Sequence, residues 1–346
     1  MLSKGVLLHG DRRAELVTTE VSPPTGTQVL VRTHAVGLCG SDLALYEGTY
    51  EGPRNYPIYF GHEWSGTVEA VGPDVTSLQP GDKGTGDCSM SCGECEFCAR
   101  DRNLCQSIEK VGITADGASR QLFIQEERYV YRADPVADLD LVALSEPLAV
   151  GAHAVRRVHA CRPDLPGEKI LVLGGGTIGL SCLFALKYLE GCENVELYDL
   201  VEARVQQAMR LGASQPTDAA AAATGDSGTY GGLYSGRGYD AIFETTGAPP
   251  AFRNAVDLVR PLGTIMALGF IPSVELGLKQ ITLKAAQIMG SIGGTGEFDR
   301  VLGFTLEHPQ VARQLISHQV PFEEVDRAFA LAADRRQAMK VLVHFD

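Results

Sequence analysis

A chain of 346 residues, 45% hydrophobic and 21% charged, has the make-up of a globular protein large enough for two domains of roughly 150 residues each. Its formal net charge of −13, with no basic run or stripe, argues against a polyanion such as nucleic acid as partner. No leader pattern opens the sequence and no apolar run reaches the ~18 residues of a membrane span, so no membrane partner is expected.

Nine cysteines are present, and four of them fall within residues 92–105. Such clustering in a long chain points to a metal rather than to disulfides. The remaining thiols read as free, which fits a reducing, cytoplasmic compartment.

In chain order, alternating runs at 5–8 and 28–33 flank Pro23-Pro24-Thr25-Gly26, which is strand–turn–strand punctuation. The segment from Cys39-Gly40-Ser41-Asp42 to Gly61-His62-Glu63 follows. It offers a thiolate, an imidazole and a carboxylate, all zinc ligands, on glycine-flanked turns. Taken alone, a buried free cysteine and an unrelated histidine fit equally well. Tyr46, Tyr50, Tyr56 and Trp64 lie near this segment and serve either a substrate pocket or ordinary packing. Residues 67–72 alternate again and 79–82 form a turn, so the first 150 residues read as mostly β.

Cys92-Gly-Glu-Cys95-Glu-Phe-Cys98 followed by Cys105 is the most specific short signal. Overlapping C-x-x-C units plus a fourth thiolate make a closed tetrahedral site, and hence a structural zinc. A redox C-x-x-C would need a strand–helix context that is missing here, and a nucleic-acid zinc ribbon conflicts with the acidic charge. Cys88 reads as a bystander thiol. Further on, Pro147 suits the first turn of a helix that carries Glu146 and His153. Glu146 is either a dipole-complementing carboxylate, a metal ligand or an outer partner; His153 reads as a packed core histidine.

The second half opens on an apolar strand at 169–173 that runs into Gly174-Gly-Gly176-Thr177-Ile178-Gly179, with an apolar helix expected over 180–189. A second strand, 194–198, ends at Asp199. In this context GxGxxG reads as a dinucleotide-binding turn. The glycines admit a pyrophosphate at a helix N-terminus, and the acid accepts hydrogen bonds from a ribose diol. An acid here favours NAD over NADP, while the nearby Arg204 keeps NADP open. A glycine-rich turn of a nucleotide-free domain is the alternative. Residues 218–238, rich in Ala and Gly, read as a flexible surface loop. Further strands are expected at 240–247, 264–269 and 287–293, with Thr246 and Gly269 at cofactor-side turns. Helices are expected at 251–259, stopped by Pro261, and at 298–306 and 322–333. A last strand, 340–345, returns to the first domain.

Together these segments resemble the zinc-containing medium-chain dehydrogenase/reductase superfamily of alcohol, sorbitol and threonine dehydrogenases, over essentially the whole chain. The resemblance implies an α/β fold: a GroES-like, mostly-β catalytic domain at 1–149, a doubly wound parallel-sheet Rossmann domain at 150–290, and a segment at 291–346 returning to the first. It implies a catalytic zinc on Cys39, His62 and Glu63 or Glu146, a structural zinc on Cys92, Cys95, Cys98 and Cys105, and Ser41 as a hydroxyl relay. Zinc would act as a Lewis acid on a secondary hydroxyl, Ser41 would pass the proton outward, and hydride would go to NAD in a cleft between the domains. A homo-oligomer, dimer or tetramer, is implied as well.

Two departures stand out. Ala44 occupies a position where polyol and threonine members often carry histidine, and the 98–105 spacing is one residue short. Glu146-Pro-Leu-Ala is closest to the sorbitol dehydrogenases. Gly-His-Glu-Trp-Ser-Gly with a small residue at 44 is similar to aminocyclitol dehydrogenases such as 2-deoxy-scyllo-inosamine dehydrogenase of aminoglycoside biosynthesis. The expected activity is therefore oxidation of a cyclitol, aminocyclitol or polyol. A sorbitol-, glucose- or threonine-type dehydrogenase, a zinc-free reductase and a non-catalytic NAD-binding protein are the alternatives.

Overall fold

The computed structural model describes residues 1–216, 234 and 238–345. The Ala- and Gly-rich stretch at 218–238 falls almost wholly outside the described residues. The chain divides into two compact units, one formed by Met1–Ala149 with Gly293–Asp346 and the other by Val150–Ile292.

The first unit is mostly β. Its main sheet runs in the order Val130–Arg132, Lys83–Gly86, Glu63–Val71, Gln28–Gly37, Lys340–His344, Ile316–Pro321, with Leu122–Glu126 also on Gln28–Gly37. Gln28–Gly37 is central, and its Val-Leu-Val run is buried on both faces, which suits β-branched side chains. A smaller sheet joins Leu2–Gly10, Arg13–Glu20 and Ile58–Tyr59. The core gathers Val29, Val31, Phe60, Trp64, Phe123, Phe329 and Phe345. Trp64 is packed edge-on against Phe123 at 4.9 Å.

The second unit is a parallel sheet in the order Val195–Tyr198, Ile170–Leu173, Tyr239–Glu244, Val259–Ala267, Gln287–Gly290. Ile170–Leu173 is buried at every position, as a strand covered by helices on both faces must be. Its direction of winding reverses between Ile170–Leu173 and Tyr239–Glu244, the switch point at which open α/β sheets bind ligands.

Two local expectations are corrected. The helix at 251–259 is Pro249–Leu258, and it ends before Pro261. Pro261 lies instead within the strand Val259–Ala267, at a register irregularity where no ladder hydrogen bond is asked of it and where Leu262 takes φ +62. The helix after the glycine turn starts earlier than expected, at Thr177, and passes at Ala185 into a π-helical turn ending at Leu189.

Candidate metal centres and dinucleotide turn

The four clustered cysteines converge. Cys92 and Cys98 Sγ lie 3.8 Å apart, Cys95 and Cys98 3.5 Å, and Cys92 and Cys105 3.5 Å. These separations are far too long for disulfides and match the edges of a tetrahedron with Zn–S bonds of about 2.3 Å, whose sulfurs sit about 3.8 Å apart. The amides of Cys92 and Ser107 also donate to Cys105 Sγ, at 3.2 and 3.4 Å, which orients that sulfur. The shortened 98–105 loop therefore still closes the set.

Cys39, His62 and Glu63 also meet, with one potential ligand atom from each within 4.8 Å of the others. Local structure explains the convergence. Cys39 caps the N-terminus of the helix Gly40–Glu47, and Asp42 in its first turn accepts from the amides of Cys39 (2.9 Å) and Gly61 (3.3 Å). One fully buried carboxylate thus ties the cysteine's turn to the histidine's. Glu63 begins the strand Glu63–Val71, whose pairing with Gln28–Gly37 sets it opposite Gly37.

A second cluster shares His62: His62, Cys88 and Glu146 fall within the same 4.8 Å limit, and all three are buried. Cys88, expected as a bystander, is therefore part of the site. The signal lies in strand register. Glu63–Val71 and Lys83–Gly86 pair antiparallel, Gly66 with Gly84 and Thr67 with Lys83. His62 immediately precedes the first of these strands and Cys88 lies two residues past the second, so the antiparallel pair brings them to the same end. Glu146 arrives from the first turn of the helix Ser145–Cys161.

Electrostatics mark the pocket as short of positive charge. Burial lifts Glu146 to about 7 against the pull of His62, and lifts the Cys88 thiol to about 12. Burial also raises Asp42, although His62 and the Cys39 amide pull the other way. Burial opposes an imidazolium at His62, yet Cys88, Asp42 and Cys39 outweigh it and hold His62 well above its ordinary value. These four groups are pushed toward keeping a proton, the opposite of what a divalent cation at the same place would impose. His62 Nδ1 is buried and has no hydrogen-bond partner among the described residues. A thiolate, an imidazole and carboxylates around an orphaned ring nitrogen fit a zinc ion well.

Two further residues shape the site. Lys340 donates to Glu63 Oε2 at 2.5 Å and to the Leu38 carbonyl at 2.9 Å, with both ionic side chains at most 3% exposed. Sequence reading missed this pair, whose members lie 277 positions apart. Ser41 Oγ is buried and has no hydrogen-bond partner among the described residues. Of the four aromatic residues near the segment, Trp64 is core, Tyr46 stacks on Phe329 at 4.2 Å, and the Tyr56 hydroxyl donates to Leu45 O at 2.6 Å. Tyr50 is the one that feels the charges of Cys88, His62 and Cys39.

At the other unit's switch point, Gly174 takes φ +102, and a Cβ on Gly179 would sit 1.8 Å from the Gly174 carbonyl oxygen. Only glycine permits that approach, which brings the helix Thr177–Phe184, capped at Gly176, hard against the strand end. Ile178 lies in its first turn, the part of a helix whose amides have no intrahelical acceptor and which favours an anion. Asp199 accepts from the amides of Gly175 and Val201, both at 2.7 Å, and lies 3.6 Å from Arg204. A carboxylate has about four acceptor positions, so two remain for a ribose diol. Thr246 donates through its amide (2.8 Å) and its hydroxyl to Glu244, and the Gly269 amide donates to the Glu244 carbonyl at 3.1 Å. Glu244 is fully buried, and its Oε2 has no hydrogen-bond partner. It organises both turns and was not anticipated.

Comparison with known proteins agrees with this architecture. Residues 25–135 match the alcohol dehydrogenase GroES-like domain, and residues 177–307 match the zinc-binding dehydrogenase domain. The chain is 33% identical over 279 residues to the uncharacterized zinc-type alcohol dehydrogenase-like protein YdjJ of Escherichia coli, covering 79% of this chain and 78% of that one. It is 28% identical over 340 residues to a sorbitol dehydrogenase of Halalkalibacterium halodurans, covering 97% and 96%. Among solved structures, RspB of E. coli CFT073, described as an alcohol dehydrogenase complexed with NADH, superposes with TM-score 0.86 at 25% identity, covering 99% of each chain. The chain belongs to the zinc-type alcohol dehydrogenase family of the medium-chain dehydrogenase/reductase superfamily. It is an enzyme of the alcohol dehydrogenase class, with a GroES-like domain and a Rossmann-type sheet.

Proposed function

We propose that the chain is a zinc- and NAD-dependent dehydrogenase that oxidises a secondary alcohol of a polyol, cyclitol or aminocyclitol to the ketone. The observation that carries this reading is the convergence of Cys39, His62, Glu63 and Glu146, buried or half-buried in one unit, together with a glycine turn and acid for a dinucleotide in the other. Cys39, His62 and Glu63 or Glu146 would hold one zinc, and Cys92, Cys95, Cys98 and Cys105 the second. When bound at the first site, zinc supplies a Lewis acid that lowers the pKa of a hydroxyl. Ser41, whose Oγ has no protein partner, takes and passes the proton at that atom. With Ala44 three residues on in place of a histidine, the proton leaves through water or the cofactor ribose. The turn at Gly174, Gly176, Thr177, Ile178 and Gly179 receives the pyrophosphate, and Asp199 binds the ribose, with Thr246 and Gly269 at the neighbouring turns.

NAD rather than NADP follows from Asp199, since its charge repels a 2′-phosphate. Asp199→Ala removes charge-assisted hydrogen bonds worth about 1.5–3 kcal/mol, so KM for NAD is expected to rise roughly tenfold to a hundredfold. The ratio of kcat/KM for NAD over NADP should narrow with it. An unchanged ratio removes Asp199 from the ribose site.

The polyol reading is favoured by the sorbitol dehydrogenase relative, and the aminocyclitol reading by the residues around His62 and Ala44. A panel of cyclitols, aminocyclitols, hexitols, aldoses and threonine, followed by NADH absorbance, separates them. Turnover confined to aldoses or threonine would replace the proposed substrate class. No turnover on any alcohol, with NADH still bound, would leave the non-catalytic reading. No helix among the described residues is long and apolar enough to cross a membrane. We place the enzyme in a reducing, cytoplasmic setting, consistent with nine unpaired cysteines, and as a homo-oligomer.

A further inference from the structure

The histidine of the proposed catalytic site is shared by two ligand sets rather than served by one. Cys39 and Glu63 approach it in one set, Cys88 and Glu146 in the other. The two sets differ in how available their carboxylates are. Glu63 Oε2 is already bound to the Lys340 ammonium, and among the described residues no such cation is bonded to Glu146. Among the described residues, the Cys88 thiol makes one weak hydrogen-bond contact, 3.9 Å from the Val111 carbonyl. Cys88 is 8% exposed, His62 4% and Glu146 8%, so the three form a buried acid–imidazole–thiol cluster with little internal pairing. A buried carboxylate and thiolate together carry the charge that one divalent ion neutralises, and burial without such neutralisation is costly. His62 immediately precedes Glu63–Val71 and Cys88 follows Lys83–Gly86 by two residues, and these two strands pair antiparallel, which brings the two ends together. The Thr85 hydroxyl, donating to Trp64 O at 2.6 Å, pins the same two strands one turn of the pleat away.

We propose that Cys88 is a ligand of the catalytic metal: His62, Cys88 and Glu146 form a three-residue zinc set with one open position, alternative to the set of Cys39, His62 and Glu63. The inference rests on the zinc reading of the preceding section and adds to it a second thiolate and a second resting place for the ion. Three protein ligands with a fourth position open is the coordination expected of a catalytic rather than a structural zinc. Two such sets hinged on one imidazole let the ion keep His62 while exchanging one thiolate and one carboxylate for another. Glu63 then stays paired with Lys340 while Glu146 serves the metal.

The test is a crystal structure of the full chain loaded with zinc alone, with anomalous data at the zinc edge, alongside Cys39→Ser, Cys88→Ser and His62→Ala. Cys88 Sγ is expected about 2.3 Å from the ion that His62 binds, in the parent protein or in Cys39→Ser. Zinc content after dialysis against chelator gives a second readout. Cys39→Ser should retain the His62-bound zinc through Cys88, Cys39→Ser combined with Cys88→Ser should lose it roughly tenfold to a hundredfold faster, and His62→Ala should keep only the four-cysteine zinc. Zinc on His62 with Cys88 Sγ beyond bonding distance in both the parent and Cys39→Ser, and equal retention by Cys39→Ser with and without Cys88→Ser, overturns the Cys88 assignment and leaves the zinc reading intact. No zinc on His62 in the parent protein overturns both.

Discussion

His62→Ala is expected to abolish NAD reduction while leaving a folded chain that still carries one zinc. His62 is common to both candidate ligand sets, so its removal dismantles each at once. A Lewis acid on the reacting oxygen is worth several kcal/mol of barrier, so the loss should exceed about a thousandfold in kcat/KM. The four-cysteine site lies in its own loop, with its sulfurs already 3.5–3.8 Å apart, and none of its ligands is shared with His62. Zinc content should therefore fall from two ions per chain to one, and far-UV circular dichroism should not change. Turnover within tenfold of the parent would dismiss His62 as a metal ligand. A collapse of the fold would instead show that the first zinc is structural.

Lys340→Met is expected to be the most damaging single change to stability. It leaves Glu63 buried with its charge uncompensated, a situation that costs about 3–5 kcal/mol. Two compact units make a single unfolding free energy ill-defined for the whole chain. The chain's one tryptophan solves this, because Trp64 is 1% exposed in the core of the unit that holds the pair. Its fluorescence reports that unit alone, and the denaturant midpoint read from it should fall sharply. Glu63→Gln combined with Lys340→Met should recover much of the loss, since a neutral amide replaces the stranded carboxylate. Burial opposes the Lys340 ammonium, but Glu63 and Cys39 outweigh it and raise its pKa. Lys340 therefore contributes its full stabilisation below the ordinary lysine value of about 10.4, and loses it only as pH climbs through the higher folded value. Neutral-pH comparisons are free of this titration. An unchanged tryptophan midpoint in Lys340→Met would show that the pair is neutral for stability.

Much of the site was legible in the sequence because its chemistry is local. The four cysteines sit within one loop, and Gly174 to Gly179 joins one strand to one helix. Cys39 and His62 are linked through Asp42, which lies between them in the chain. What escaped depends on pairing between distant segments. Cys88 reaches His62 only through an antiparallel register that no run of residues announces, and Lys340 reaches Glu63 from a strand at the far end of the chain. Pro261 misled for a related reason. Proline is a good helix stop, and the helix had in fact already ended at Leu258, but an irregular strand tolerated the ring where a regular ladder would not.

The placement of Lys340–His344 between Gln28–Gly37 and Ile316–Pro321 has a consequence for how the protein is made. Residues 150–292 are contiguous, so that unit can fold as soon as it clears the ribosome. The other unit cannot close its sheet until the strand that completes it has been translated, some 300 residues after its partner at Val36. Until then the Ala35–Gly37 end of Gln28–Gly37 lacks its partner on one side and is a short template for mispairing, and the Glu63 carboxylate lacks its counter-ion. Nascent chains stalled short of residue 340 should thus engage chaperones through their older half, while the younger half is already native.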